Sequence, residues 1–278
     1  IVYIAGSILI QKGKWEKRID TLKKRIIKNK PFFIIGSNFG PYENPDFYNK
    51  SKDFFRSAYD VCFRESYSYS LFEDLQNVRY AADIVFTYPV STGVHQKKQV
   101  VFSVIDLSWR PALKEYDTLY VNTMVKLAKL FIDIGYDICL MAFCEKEGDN
   151  AGVRKIMAKL DVPSDQRIKP YVYKGDIAES IQLIQESEYV VATRFHAMIL
   201  GWVLGKRVFP ITYSSKTTNV IHDVAFDGWY NTIEDMAAIS VDEVFAQLQS
   251  SKPFDVKNQR LSAEMQFKLL DEFVLSNS

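Results

Sequence analysis

Short unbroken apolar runs recur along the chain, and between them apolar residues return at helical spacing. "IVYIA" is followed by "WEKRIDTLKKRIIKN", in which Trp15, Ile19, Leu22 and Ile26 share one helical face. "PFFIIGSNFGPY" predicts a buried strand ending in a glycine-bearing loop. A helix is expected over 46–58, a short strand at "DVCFR", a helix at "SYSLFEDL" and another short strand at "YAADIVF". The pattern breaks at "TYPVSTGVHQKKQ", where Pro, Gly, Ser and Thr cluster, and a domain boundary is placed there. A second series then runs strand "VVFSVI", helix 116–134, strand "YDICLMAF", helix "AGVRKIMAKL", strand "KPYVY" and helix "IAESIQLIQES". Strand "EYVVAT", helix "FHAMILGWVLG" and strand "RVFPIT" follow, and a helix over 258–275 closes the chain.

Continuous apolar strands alternating with amphipathic helices imply parallel sheets covered on both faces. Two such series predict an α/β protein with two doubly wound, Rossmann-like domains, over 1–92 and 93–278. The last helix is expected to pack back on the first domain. Ligands of such sheets bind beyond the carboxyl ends of strands. The functional loops should therefore follow "FFIIG", "VCF", "VFSVI", "LMAF" and "YVVAT".

With 47% hydrophobic and 25% charged residues, the 278-residue chain has globular composition. No apolar run reaches the length of a membrane span. Cys62, Cys139 and Cys144 form neither a disulfide framework nor a CxxC metal site, and they read as buried thiols of a reducing compartment. A cytoplasmic location is expected, with no metal and no nucleic-acid partner. Net charge is only +1, yet nine basic and two acidic residues crowd between Lys12 and Lys30. The basic helix over 14–29 is either a solvated face or a contact for an anionic membrane surface. The chain opens on Ile1 inside an apolar strand, so upstream residues are expected and the first domain is expected to be incomplete here.

One stretch carries the clearest chemistry: "VVATRFHAMILGWVLGKRVFPITYSSK". Thr193 and Arg194 fall where a strand hands over to a helix. Unpaired N–H groups and the helix dipole favour anions there. Arg194 adds a fork of donors suited to carboxylate or phosphate. His196, two residues on, can move a proton near neutral pH. The alternative is that Arg194 caps a carbonyl and His196 is a core histidine.

The pattern RxH, helix, LGxxVxxxxYxxK, which takes in Tyr213 and Lys216, resembles the polysaccharide pyruvyl transferase family. Upstream, "IAGSILIQ" resembles the family's GGGS strand end, with Ile4 and Ala5 in place of two glycines. "IIGSNFGPY" resembles its strand and loop ending in GPF, and "VCFRESYS" its V-x-x-R-[DE]-x-x-S segment with Arg64, Glu65 and Ser68. "YAADIVF" is similar to its later Asp segment and supplies Asp83. The matches lie in order from Ile4 to Lys216.

The resemblance implies the two-domain fold of the B-type glycosyltransferases, with a further strand and loop ahead of this region. It implies transfer of a pyruvyl group from phosphoenolpyruvate to a sugar of a surface polysaccharide or its lipid-linked precursor, giving a cyclic ketal, with no cofactor. His196 is then the acid/base group. Arg194, Arg64 and Lys216 hold the donor, and Glu65 or Asp83 steadies positive charge at the ketal carbon. Ser37, Asn38 and Tyr213 are further contacts. Against these stand plainer roles: an ion pair for Arg64, a solvated Lys216, a turn cap for Asp83, and turn shaping for Ser37 and Asn38. Trp109, Tyr116, Trp202, Trp229 and Tyr230 are candidates to stack on sugar rings, or are core. Two other functions share the architecture. A nucleotide-sugar glycosyltransferase would want an acidic residue where Thr193, Arg194 and His196 stand, and an inactive glycan-binding relative would tolerate the altered glycine loop.

Overall fold

The structure is a computed structural model that describes every residue except 5, 8, 27–29, 92, 161–166 and 278. The altered loop position Ala5 and the end of the basic helix thus lie outside the described residues. Two compact units form. The first gathers Ile1–Tyr88, Thr218–Ala225 and Lys257–Ser278; the second gathers Pro89–Thr217 and Phe226–Val256.

In the first unit, β1 (Val2–Ile4), β2 (Phe33–Ser37), β3 (Asp60–Phe63) and β4 (Val78–Tyr80) form a parallel sheet in that spatial order. Helix α1 (Trp15–Ile26) buries Ile19 and Leu22 and leaves Lys17, Arg18 and Lys24 exposed. Helix α2 (Pro45–Arg56) starts where Asn44 accepts from Asp46 N (2.8 Å), with proline in the first turn. An aromatic core fills the space around Phe39. Phe72 meets it edge-on at 4.9 Å between centroids, and Phe47 stacks on it at 5.3 Å.

Two expectations are corrected here, both by acidic caps. Helix α3 (Ser66–Ser70) begins earlier and ends sooner than "SYSLFEDL" suggests, because the Glu65 carboxylate caps it at Ser68 N (3.1 Å). The strand expected at "YAADIVF" is displaced upstream to β4. Asp83 then accepts from Val85 N (2.9 Å) and starts a 3₁₀ turn over Ile84–Thr87.

In the second unit, β5 (Gln99–Ser103), β6 (Asp137–Ala142), β7 (Ile168–Val172), β8 (Tyr189–Ala192), β9 (Arg207–Thr212) and β10 (Asn231–Thr232) are all parallel. Their spatial order is β10-β9-β8-β5-β6-β7. The helices are α4 (Asp117–Asp133), α5 (Asp149–Leu160), α6 (Ile177–Glu186), α7 (Phe195–Val203), α8 (Ser215–Asp223) and α9 (Val241–Ser250). The division between units falls inside α8. Chain order reverses between β5 and β8, so the connections leaving these neighbours turn to opposite faces. That is the topological switch point at which open α/β sheets bind ligands. Gly152 lets α5 lie directly on the backbone there, since a Cβ at this position would collide with Ile105 O.

The closing segment of the first unit is not one helix. Helix α10 (Lys257–Glu264) and helix α11 (Lys268–Ser276) are separated by a 3₁₀ turn over Met265–Phe267. The break delivers Gln266, fully buried, to the carboxyl ends of the sheet. Its amide accepts from Gly36 N (2.9 Å) and donates to Ala81 O (2.7 Å) and Ala82 O (3.1 Å). Arg79, bidentate to Asp60, donates to Met265 O and to Gln266 O (2.7 Å). With a further bond from Gln266 to Phe63 O (3.3 Å), one side chain satisfies backbone groups of three strand ends, which a continuous helix passing over them would leave buried and unpaired.

Candidate active site

At the switch point the loops after β5 and β8 are tied together. Thr193 N donates to Ser103 O, and Arg194 N to Ser103 Oγ, both at 3.2 Å. The Tyr120 hydroxyl accepts from Ile105 N (3.3 Å) and shares a hydrogen bond with Thr193 Oγ1 (3.1 Å). Ser103, Tyr120 and Thr193 are all fully buried. The residues that follow β8 therefore start from a fixed frame.

Arg194 is the N-cap residue of α7, but its side chain does not cap the helix. It turns toward the loop after β6. Nε donates to Asp149 Oδ2 (2.8 Å), Nη2 to Asp149 Oδ1, and Nη1 to Glu147 Oε2 (2.5 Å). Asp149 is fully buried and also accepts from Cys144 N (2.8 Å). Burial by itself lowers the Arg194 pKa, but the bonds to Asp149 and the neighbouring Tyr213 and Glu147 leave it raised above the ordinary value. Arg110 reaches the same carboxylate. Its Nη2 donates to Glu147 Oε2 (2.9 Å), its Nη1 to Asp106 O (2.6 Å), and its guanidinium lies 5.1 Å from the Tyr213 ring centroid. Burial pushes the Glu147 carboxyl up, yet Arg194 first, then Arg110 and Lys216, hold it below the usual glutamate value.

His196 is exposed on the first turn of α7, its ring edge-on to Phe195 at 5.1 Å and 77°. Lys216 Nζ lies 5.9 Å from the centroid of the same Phe195 ring. The imidazole and the ammonium thus share one aromatic neighbour, and three cations, Tyr213 and a histidine lie beyond the carboxyl ends of β5, β8 and β9. The alternative of a core histidine does not match this exposure.

The first unit holds a second set. Arg64, only 4% exposed, donates from Nη1 to Asp83 Oδ2 and from Nη2 to Asn38 Oδ1, each at 2.8 Å. Asn38 Oδ1 also accepts from Ser7 Oγ (2.9 Å), and Ser37 Oγ donates to Gly6 O (3.0 Å). Gly6 makes room for the guanidinium, since a Cβ there would come 3.1 Å from Arg64 Nη1. Asp83 therefore serves as turn cap and ion-pair partner at once. Glu65 is buried and next to Arg64 in sequence but bonded elsewhere, to Ser68 and to Asn219 Nδ2 (3.1 Å). Burial pushes its carboxyl up, partly offset by these hydrogen bonds. Ser37, Asn38, Arg64 and Asp83 form one connected set, and Glu65 lies outside it.

Among the aromatic candidates, Trp202 is buried against Phe226 and Phe254, and Tyr116 and Trp229 pack on the core. Tyr230 is half-buried, and Trp109 is 66% exposed over Gly148 in the loop region after β5. Cys62 and Cys139 are buried with thiols pushed up to about 12, whereas Cys144 is only half-buried. Among the described residues no group of His, Cys, Asp or Glu side chains is placed to hold a metal, and no helix is long and apolar enough to cross a membrane. Sequence reading marked the loops after "VFSVI" and "LMAF" but missed Arg110, Glu147 and Asp149 within them. The only signal they carry is their place after strand ends.

The model of the polysaccharide pyruvyl transferase family matches residues 1–215. The chain belongs to that family. No curated protein matches this pyruvyl transferase family member by sequence. Solved structures match it through the fold. TarM aligns at a TM-score of 0.54 with 11% identity, over 96% of this chain and 50% of TarM. The UDP-forming trehalose-phosphate synthase of Burkholderia vietnamiensis aligns at 0.52 with 10% identity, over 98% and 73% of the two chains. That of Burkholderia xenovorans, solved with glucose-6-phosphate, aligns at 0.53 with 9% identity, over 99% and 73%. This family member thus spans half the length of TarM, and it has the Rossmann-like fold of the B-type glycosyltransferases.

Proposed function

We propose that the protein transfers the pyruvyl group of phosphoenolpyruvate to a sugar of a surface polysaccharide or its lipid-linked precursor, forming a pyruvate ketal. The observation that carries this is the pair Arg194 and Arg110 bonded to one carboxylate at the switch point, with Lys216 and His196 on the Phe195 ring that directly follows Arg194. A small donor with a carboxylate and a phosphate fits such a site. His196 as imidazolium gives its proton to the donor's methylene carbon, and positive charge develops at the neighbouring carbon. A sugar hydroxyl attacks that carbon and returns its proton to His196. A second hydroxyl then attacks the same carbon as its bond to the phosphate oxygen breaks, the phosphate takes that hydroxyl's proton and leaves as inorganic phosphate, and the ring of the ketal closes. These proton transfers need no cofactor. Arg64, its own guanidinium buried, is assigned to holding the loop of the first unit at Asn38. Tyr213, beside Arg110, is assigned to acceptor contact.

Release of inorganic phosphate from phosphoenolpyruvate, with a panel of lipid-linked and pyrophosphorylated sugars, tests the reading directly. Thermal stabilisation by phosphoenolpyruvate and none by nucleoside diphosphates is expected. The reverse pattern would identify a nucleotide-sugar glycosyltransferase. Polysaccharide binding without phosphate release from any acceptor would identify a glycan-binding relative.

A lipid-linked acceptor places the enzyme at the cytoplasmic membrane face, and we assign the exposed Lys14, Lys17, Arg18 and Lys24 to that contact. Each basic residue near an anionic surface contributes about 1 kcal/mol, screened by salt. Sedimentation with anionic vesicles is expected at low salt and not at high salt. Absence of binding at both removes the membrane contact.

A further inference from the structure

Two arginines in the second unit, Arg110 and Arg194, share one arrangement. Each is anchored along one part of its guanidinium by the protein. Arg194 is gripped through Nε and Nη2 by the buried Asp149, and Arg110 through Nη1 by Asp106 O. Each then aims one further nitrogen at a single oxygen, Glu147 Oε2, at 2.5 and 2.9 Å. Tyr213 lies under the Arg110 guanidinium, and Lys216 adds its charge to the same carboxylate.

The carboxylate itself is built differently from its partners. Asp149 is fully buried, whereas the Glu147 side chain is 52% exposed. Glu147 ends the 3₁₀ turn over Glu145–Glu147, just before Gly148 at φ +84°. It can swing into solvent without disturbing the anchored edges of either arginine, because neither anchor passes through it.

We infer that Arg110 and Arg194, with Lys216 nearby, form a carboxylate subsite whose resident occupant is Glu147, and that the donor's carboxylate displaces it. Arg110 is thereby a donor-binding residue alongside Arg194. The exchange replaces one carboxylate by another on the same two N–H groups, so the cations are never left bare. Glu147 competes with the donor and, once displaced, faces solvent. The assignment of the donor rests on the proposed function; the competition by Glu147 does not.

Calorimetric titration of the wild-type chain, Glu147→Gln and Arg110→Ala with phosphoenolpyruvate, pyruvate and inorganic phosphate separates the two. Removing the competing charge in Glu147→Gln is expected to tighten phosphoenolpyruvate and pyruvate by about tenfold, the scale of one charge-assisted hydrogen bond, and phosphate much less. Arg110→Ala is expected to weaken both carboxylates by about tenfold. A gain in affinity cannot arise from a misfolded variant, so the Glu147→Gln result is decisive in sign. Carboxylate binding that is unchanged or weaker in Glu147→Gln overturns the subsite, as does phosphate tightening as much as pyruvate. If pyruvate tightens while phosphoenolpyruvate binds neither protein, the subsite stands and the donor assignment falls. If phosphoenolpyruvate binds wild type and gains nothing in Glu147→Gln, the donor stands and the subsite falls.

Discussion

His196→Ala is expected to lower kcat by about 10²–10⁴-fold, the usual worth of acid/base catalysis, while phosphoenolpyruvate still binds. The imidazole is exposed on the first turn of α7, one residue beyond Phe195 and two beyond Arg194. The frame beneath it is rigid, because Thr193 and Arg194 are bonded to the end of β5 through Ser103. Histidine titrates close to neutral pH, so one side chain can give a proton to the methylene carbon and take one from the attacking hydroxyl. The binding cations lie on other side chains, which is why the donor's affinity should survive. Phosphate-release kinetics together with a donor titration read both quantities. A near-normal kcat in His196→Ala would sink the catalytic assignment and leave the imidazole as a binding or packing group.

Arg194→Ala should act on stability and on donor binding at once, and the two effects can be pulled apart. The substitution leaves Asp149, fully buried, without its cation and with the Cys144 N–H bond still in place. Breaking a buried ion pair from one side costs about 3–5 kcal/mol, because the remaining charge stays desolvated. The Arg194→Ala/Asp149→Asn double variant removes that orphaned charge and should recover part of the stability. It should not recover donor affinity, since the Nη1 donor now on Glu147 is lost in both. Urea unfolding and the KM for phosphoenolpyruvate are the two readouts. A strong rise in KM is expected in both variants. If KM stays at the wild-type value while stability falls, Arg194 is a structural ion pair and not a donor ligand.

The same side chain marks the boundary of what sequence reading reached. Arg194 and His196 were legible because an apolar run stops at Thr193 and resumes at once. A charged pair at such a junction has few places to go. Its partners were not legible. Asp149 and Glu147 stand 45 and 47 residues away and Arg110 earlier still, none in a local motif. For Arg64 the ion-pair reading was on the table and for Asp83 the turn cap, but not that Asp83 would do both, nor that its cap would displace the strand expected at "YAADIVF". The helix over 258–275 was foreseen, though not its break at Met265–Phe267. The apolar periodicity continues through that turn, and the demand for Gln266 comes from strand ends more than 180 residues upstream. Helices α8 and α9 went unread.

Alternation of unbroken apolar runs with helical spacing was by itself enough to determine two parallel-sheet units. Burial on both faces of a strand must be written in the strand's own residues, and burial on one face of a helix in its period. Spatial strand order is written in no single segment. It depends on which way each crossover turns, and that is settled only when the helices compete for the two faces of one sheet. The reversal between β5 and β8 is such a decision. It brings together the ends of β5, β6 and β8, and with them Arg110, Glu147, Asp149 and Arg194. The sequence names the ends of strands where chemistry can occur; only the tertiary structure selects which of those ends meet.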